Sequence, residues 1–116
     1  MIINKTNKKI IAEKHRLCEK LLSKTIGLMF HKEKIVPLVF VFKKEKIVPL
    51  HMFFVFFPID VLFLDEDKKV VEIKKKFEPF TLYNPKNKAK YVIELPQGAV
   101  KNTNTKIGDK VSLIDN

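Results

Sequence analysis

One cysteine, one arginine, three glycines and no tryptophan are found among 116 residues. The lone Cys18 rules out an internal disulfide, so the disulfide-stapled scaffolds of small secreted proteins do not apply. Arg16 is the only guanidinium, and no arginine cluster, glycine-rich basic tail or aromatic-basic RNA motif accompanies the lysines. The first twenty residues, MIINKTNKKIIAEKHRLCEK, hold only short apolar runs interrupted by charge, unlike a signal peptide. A cytoplasmic chain is the expectation. No phosphate loop, nucleophile elbow, zinc-protease helix or paired catalytic-acid motif is present. The reading therefore leans against an enzyme, and no cofactor is expected.

What is present is lysine and apolar β-vocabulary. The formal net charge is +10, with +8 in residues 1–46, −3 in 47–73 and +5 in 74–116. A mildly acidic apolar centre is thus framed by two basic ends. Point charges on flexible stems read first as a solvated surface, and abundant Lys, Glu and Ile with few glycines fits a thermophile surface. The apolar fraction of 46% is enough for one core, so residues 1–116 read as a single domain with 1–8 and 115–116 as frayed ends.

The stretch IVPLHMFFVFFPIDVLFL (47–64) is nearly free of charge and raises the question of a membrane span. A spanning helix needs about twenty apolar residues in one run. Pro49 and Pro58 break such a helix, and Asp60 would lie inside the bilayer. The stretch reads instead as strands of a β core. PLVFVF, the turn KKEK (43–46) and IVPLHMFFVFF form an expected hairpin. A corner at 57–58, the strand VLFL, a tight acidic turn at 65–68 and the strand VVEIK follow, then strands KYVIEL and KVSLI. Leu17, Leu21, Leu22 and Leu28 recur at helical spacing and predict a short amphipathic helix over 14–26, with Gly27 as its stop. The fold class is mainly β: a compact antiparallel barrel or sandwich with that N-terminal helix and a second short helix near 98–104. The heptapeptide KEKIVPL occurs twice, at 32–38 and 44–50, each copy read as a lysine-rich turn feeding a strand.

Several blocks together resemble a known family: KTIGLMF (24–30), LVFVF (38–42), HMFFVFFPIDVLFLDEDKKVVEI (51–73), YVIELPQGAV (91–100) and IGDKV (107–111). In order and spacing they are similar to the domain of unknown function family numbered 192, and HMFFVFFPID is similar to its archaeal branch. The resemblance covers about nine-tenths of the chain. It implies a compact, mainly-β barrel or sandwich and no established activity. Many bacterial members carry Lys-Asn-Thr where this chain has Phe53, Phe54 and Val55, so a polar site on that triplet is not expected here. Bacterial members often carry an export signal as well, which this sequence does not show.

Asp60 and Glu94 stand out as acids within apolar strands. A buried carboxylate is costly unless hydrogen-bonded or paired. Each could face outward, and Asp60, two residues after Pro58, could instead bind turn amides; the sharper expectation places Asp60, Glu94, His51 and Met52 around one cleft. His15 and Cys18 lie three apart, but without a second His/Cys pair the structural-zinc signature is missing and no metal is expected. Met29 and Met52 also read as core filler, and His31 as solvated. The leading functional expectation is a non-catalytic binding module for a small molecule or partner segment. The alternative is a basic accessory protein touching nucleic acid weakly, through lysines near both ends. Ten phenylalanines are many for so small a core, and outward-facing members would favour a homodimer.

Overall fold

The computed structural model describes residues 1–18, 37–52 and 57–114. Its centre is a five-stranded sheet. β3 (Arg16–Cys18) runs parallel to β4 (Leu38–Lys46), and β4 pairs antiparallel with β9 (Ala89–Pro96). Next come β6 (Ile59–Leu64) and, at the far edge, β7 (Val70–Phe77), giving the order β3-β4-β9-β6-β7. A three-stranded sheet, β10-β1-β2, joins the chain's two ends: β1 (Ile2–Asn4) lies between β2 (Lys9–Ala12) and β10 (Val111–Leu113). A short ribbon pairs β5 (Leu50–His51) with β8 (Leu82–Tyr83). The one helix among the described residues, α1 (Ala99–Asn102), follows β9.

The central sheet is covered on both faces. On one face Leu38, Phe40, Ile59, Val61, Phe63 and Val92 form a cluster with Leu50 and Met52 from the ribbon side. On the other, Val39, Leu62, Leu64, Ile93 and Leu95 pack with Ile2, Val100 and Val111. Successive strand residues point to opposite faces. A strand covered on one side would alternate apolar with polar, whereas β6, IDVLFL, is buried at all six positions. This double burial explains why the last part of the apolar run, 59–64, mimics a membrane segment. No helix among the described residues is long and apolar enough to cross a membrane.

Other elements follow local chemistry. The acidic turn forms as expected: Asp65 Oδ1 accepts the N–H groups of Asp67 and Lys69 at 2.9 Å, and Asp65 N–H donates to the Lys69 carbonyl. The second expected helix is α1. In the repeated KEKIVPL, the Pro-Leu of each copy precedes or opens a strand, Leu38 in β4 and Leu50 in β5, and both leucines enter the same cluster.

Four expectations need correction. Residues 16–18, placed in an N-terminal helix, form β3, with Arg16 N–H donating to the Pro37 carbonyl at 2.9 Å; residues 19–26 lie outside the described residues. Pairing along the edge of β4 overrides a periodicity that short apolar runs share between helix and strand. KKEK is no turn but the exposed end of β4, where Lys46 pairs with Ala89. Among the described residues the expected hairpin is consequently absent: β4 pairs with β9 and β5 with β8, and of the described residues in 37–75 only those of β6 and β7 pair as chain neighbours. Residues 1–8 are not frayed, since Ile2 and Asn4 are fully buried in β1.

Leu62 is fully buried in the most enclosed strand. Leu62→Ala should lower unfolding stability by about 2–5 kcal/mol, from lost transfer energy and the residual cavity. Urea unfolding checks this, and a loss under about 1 kcal/mol would contradict the double coverage of β6.

Candidate functional site

Asp60 is 2% exposed and its carboxylate is fully engaged. A bulge opposite it, where pairing slips between Ile59↔Phe77 and Val61↔Lys74, leaves Lys76 at φ 49° and outside the regular ladder. Asp60 Oδ1 accepts the Lys76 N–H at 3.0 Å. Its Oδ2 accepts two more, from Gly98 and Val100, each at 3.1 Å. Gly98 precedes α1 at φ 92°, a left-handed conformation that suits glycine. The first N–H groups of a helix have no partner within it, and Asp60 supplies one from a neighbouring strand. Asp60 therefore fixes α1 to the sheet and acts as a positioning residue.

Glu94 does not join it. Residues opposite one another in a ladder share a face, and the register pairs Asp60 with Leu95 and Val61 with Glu94. Asp60 thus lies on the face of Leu62, Ile93 and Leu95, while Glu94, 4% exposed, lies on the face of Val61 and Leu38. The two carboxylates stand on opposite sides of the sheet, so the shared cleft is not formed. Met52 is buried in the cluster on Glu94's side, and its backbone holds the ribbon through Met52 N–H to Thr81 O (2.9 Å) and Phe80 N–H to Met52 O (2.6 Å). His51 is exposed on β5, opposite Leu82.

Glu72 escaped the sequence reading. It is 7% exposed, and Tyr83 O–H donates to its Oε2. Its Oε1 accepts the N–H groups of Lys86 and Asn87 and the Asn87 side-chain amide, all at 2.9 Å. The signal was available: VVEIK is a third acid within an apolar strand. Burial opposes ionisation of Glu72, yet the donors from Tyr83, Asn87 and Lys86 outweigh it and hold the carboxyl below its usual value. Burial, the hydrogen bond to Glu72 and its negative charge push Tyr83 up to about 12. Tyr83 also packs on Phe63 and Phe77, with Lys74 Nζ 5.3 Å from its ring centroid.

A second polar knot ties the chain's ends together. Buried Asn4 donates to Thr105 Oγ1 (3.2 Å) and Asp109 Oδ2 (2.9 Å), and its Oδ1 accepts the N–H of Thr6 and Asn7. Asn7 in turn donates to the Thr103 carbonyl at 2.7 Å. The knot sets the segment after α1 against β1. Beside it an open groove of about 770 Å³ is lined by residues 10–14 together with Pro37, Pro96, Gln97, Ala99, Asn102 and Thr103. Among the described residues no three His, Cys, Asp or Glu side chains gather where they could hold a metal.

The Glu72–Tyr83 pair sets a pH signature. Glu72, lowered in the fold, contributes stability that is complete above its ordinary value of 4.5 and lost as pH falls through the folded value. Tyr83, raised, contributes stability that is complete below 10 and lost as pH rises through about 12. Tyr83→Phe should cost about 1–3 kcal/mol near neutrality. That difference should shrink as pH falls through the Glu72 titration, measured by urea unfolding across the acid range. A cost independent of pH would contradict the pairing.

Comparison with known proteins agrees with the fold. The model of the DUF192 family, described as Uncharacterized ACR, matches residues 2–113. A UPF0127 protein of Thermococcus sibiricus is 36% identical over 113 residues, covering 96% of this chain and 73% of that protein. The crystal structure of a protein of unknown function from Novosphingobium aromaticivorans superposes with TM-score 0.80 at 22% identity, over 97% of this chain and 82% of that one. That of a proposed transcription regulator from Sinorhizobium meliloti gives 0.75 at 24% identity, over 83% and 78%. These two likenesses concern the fold. The chain belongs to the DUF192 family, as an archaeal-type member.

Proposed function

We propose that the protein is a non-catalytic binding module that takes an extended segment of a partner along the edge of β2. The observation that carries this reading is that five consecutive residues, 10–14, line one groove. Side chains alternate along a strand, so the consecutive strand residues Ile10, Ile11 and Ala12 face one space only when the backbone edge does, with Glu13 and Lys14 continuing past the strand's end. β2 is the terminal strand of its sheet. An extended peptide can pair with such an edge through main-chain hydrogen bonds while its side chains rest on the remaining lining. That lining is small and apolar at Pro37, Pro96 and Ala99, with amides at Gln97 and Asn102.

Charge and size favour a short segment over a second copy of the chain. β2 spans four residues, whereas a stable dimer buries about 800 Å² per partner. Two copies at +10 also repel one another. Lys14 is the exposed lysine of the lining and Glu13 its acid, and the exposed Lys9 and Lys101 adjoin lining residues in the chain, which suits a neutral or acidic segment. The Asp60 carboxylate takes three hydrogen-bond donors and that of Glu72 four, a role that supports structure over catalysis. Asp60 serves the groove indirectly, by holding the helix that carries Ala99 and Asn102.

A capped six-residue peptide of alternating valine and alanine, with glutamate at each end, is a direct probe. Its titration should shift the backbone amide resonances of residues 10–14 saturably. The same peptide N-methylated on alternate amides should bind at least about tenfold more weakly, having lost about 1.4 kcal/mol of edge pairing. Equal binding of both peptides, or shifts confined to other residues, would contradict the reading.

A further inference from the structure

The fold brings lysines from three distant parts of the chain to one place. β1 and β10 pair, and just beyond them Lys5 N–H donates to the Lys110 carbonyl at 2.7 Å. Val111 N–H donates to the Lys68 carbonyl at 2.9 Å, and Lys69 forms a bridge with Lys110. Backbone bonds thus set Lys5, Lys110 and Lys68 in adjacent positions. They line a polar recess of about 200 Å³ together with Asp67, Val111, Ser112 and Leu113. Each water occupies about 30 Å³ of liquid, so this space suits one tetrahedral anion with part of its hydration shell.

The backbone of Lys68 is fixed by the acidic turn. It sits at φ 60°, a left-handed conformation that a lysine adopts at a cost. The acidic turn imposes that conformation, through Lys68 N–H to the Asp65 carbonyl at 3.0 Å, and glycine would meet it without strain. A lysine therefore occupies a glycine-type backbone position in the lining of a recess that two other lysines share. Its Nζ lies 5.4 Å from the Tyr91 ring centroid, which limits where its stem can go. Asp67 is the one acid of the lining, leaving three positive groups against one negative. Repulsion among the like charges of residues that line one recess is relieved when an anion binds there.

We infer that Lys5, Lys68 and Lys110, with the Ser112 hydroxyl, form a binding site for a phosphate-class oxyanion. The site is separate from the groove at β2, and neither depends on the other. Its ligand chemistry is shared by a free phosphate or pyrophosphate and by the phosphates of a nucleic-acid strand. Lysines give such a site charge without the planar fork that reads bases, so sequence selectivity is not expected.

The test is a titration of the full chain with inorganic pyrophosphate at constant ionic strength, followed by backbone amide shifts. Saturable shifts at residues 5, 68, 110 and 112 are expected. The triple variant Lys5→Gln, Lys68→Gln, Lys110→Gln should lose affinity at least about tenfold. A charge-matched control, Lys43→Gln, Lys44→Gln, Lys75→Gln, should bind as the parent does. Lys68→Gly, which relaxes the backbone while removing one ammonium, should melt no lower than the parent and still bind more weakly. A second arm adds single-stranded DNA of mixed sequence. Competition with pyrophosphate, with a salt dependence that flattens in the triple variant, assigns the site to nucleic-acid phosphate. Absence of competition with pyrophosphate binding intact assigns it to a free anion; either supports the site. Shifts that never saturate, or equal losses in the triple variant and the control, would mean diffuse screening and overturn it.

Discussion

Asp60 sits in a strand whose other five residues are apolar, and its two oxygens take three main-chain N–H groups from β7, from the turn before α1 and from α1 itself. Burying an unpaired carboxylate there would cost several kcal/mol. Hydrogen bonds to a charged group contribute about 1.5–3 kcal/mol each, so three of them can offset that cost. The bulge in β7 and the start of α1 each leave a backbone donor without a ladder or helix partner, and one carboxylate serves both. The central sheet can therefore be covered on both faces without orphaned amides at its most enclosed strand. The position of α1, and with it part of the groove's lining, follows from that anchor.

How far the sequence reveals this depends on the scale of the interaction. The strands of 59–64 and 89–96 are legible because apolar, β-branched residues leave a folded chain few alternatives. The acidic turn at 65–68 is legible because aspartate side chains bond their own backbone. KKEK misleads because a charged stretch reads as a turn, although the solvated end of a strand has the same composition. The N-terminal helix misleads where it can be compared, because Leu17 fits a helical stripe and an edge strand equally well.

The expected cleft failed for a subtler reason. Alternation along each strand correctly groups Asp60 with Leu62 and Leu64, and Glu94 with Val92. It cannot say which group of one strand faces which group of the next. That is set by register, and a slip of one residue exchanges the faces. Had Asp60 stood opposite Glu94 instead of Leu95, the two acids would have shared a space. Likewise the charge pattern shows basic ends, while only the pairing of β1 with β10 shows that the ends converge.

The role of Asp60 is tested most directly by native-state hydrogen exchange of the amides of Lys76, Gly98 and Val100. In the parent these three should be among the protected amides, because each donates to one buried carboxylate. In Asp60→Asn, which places an NH₂ donor against donors, protection at all three should fall together, and by more than at the β4–β9 ladder. Unchanged protection at these amides, or a uniform loss across the whole sheet, would contradict the account.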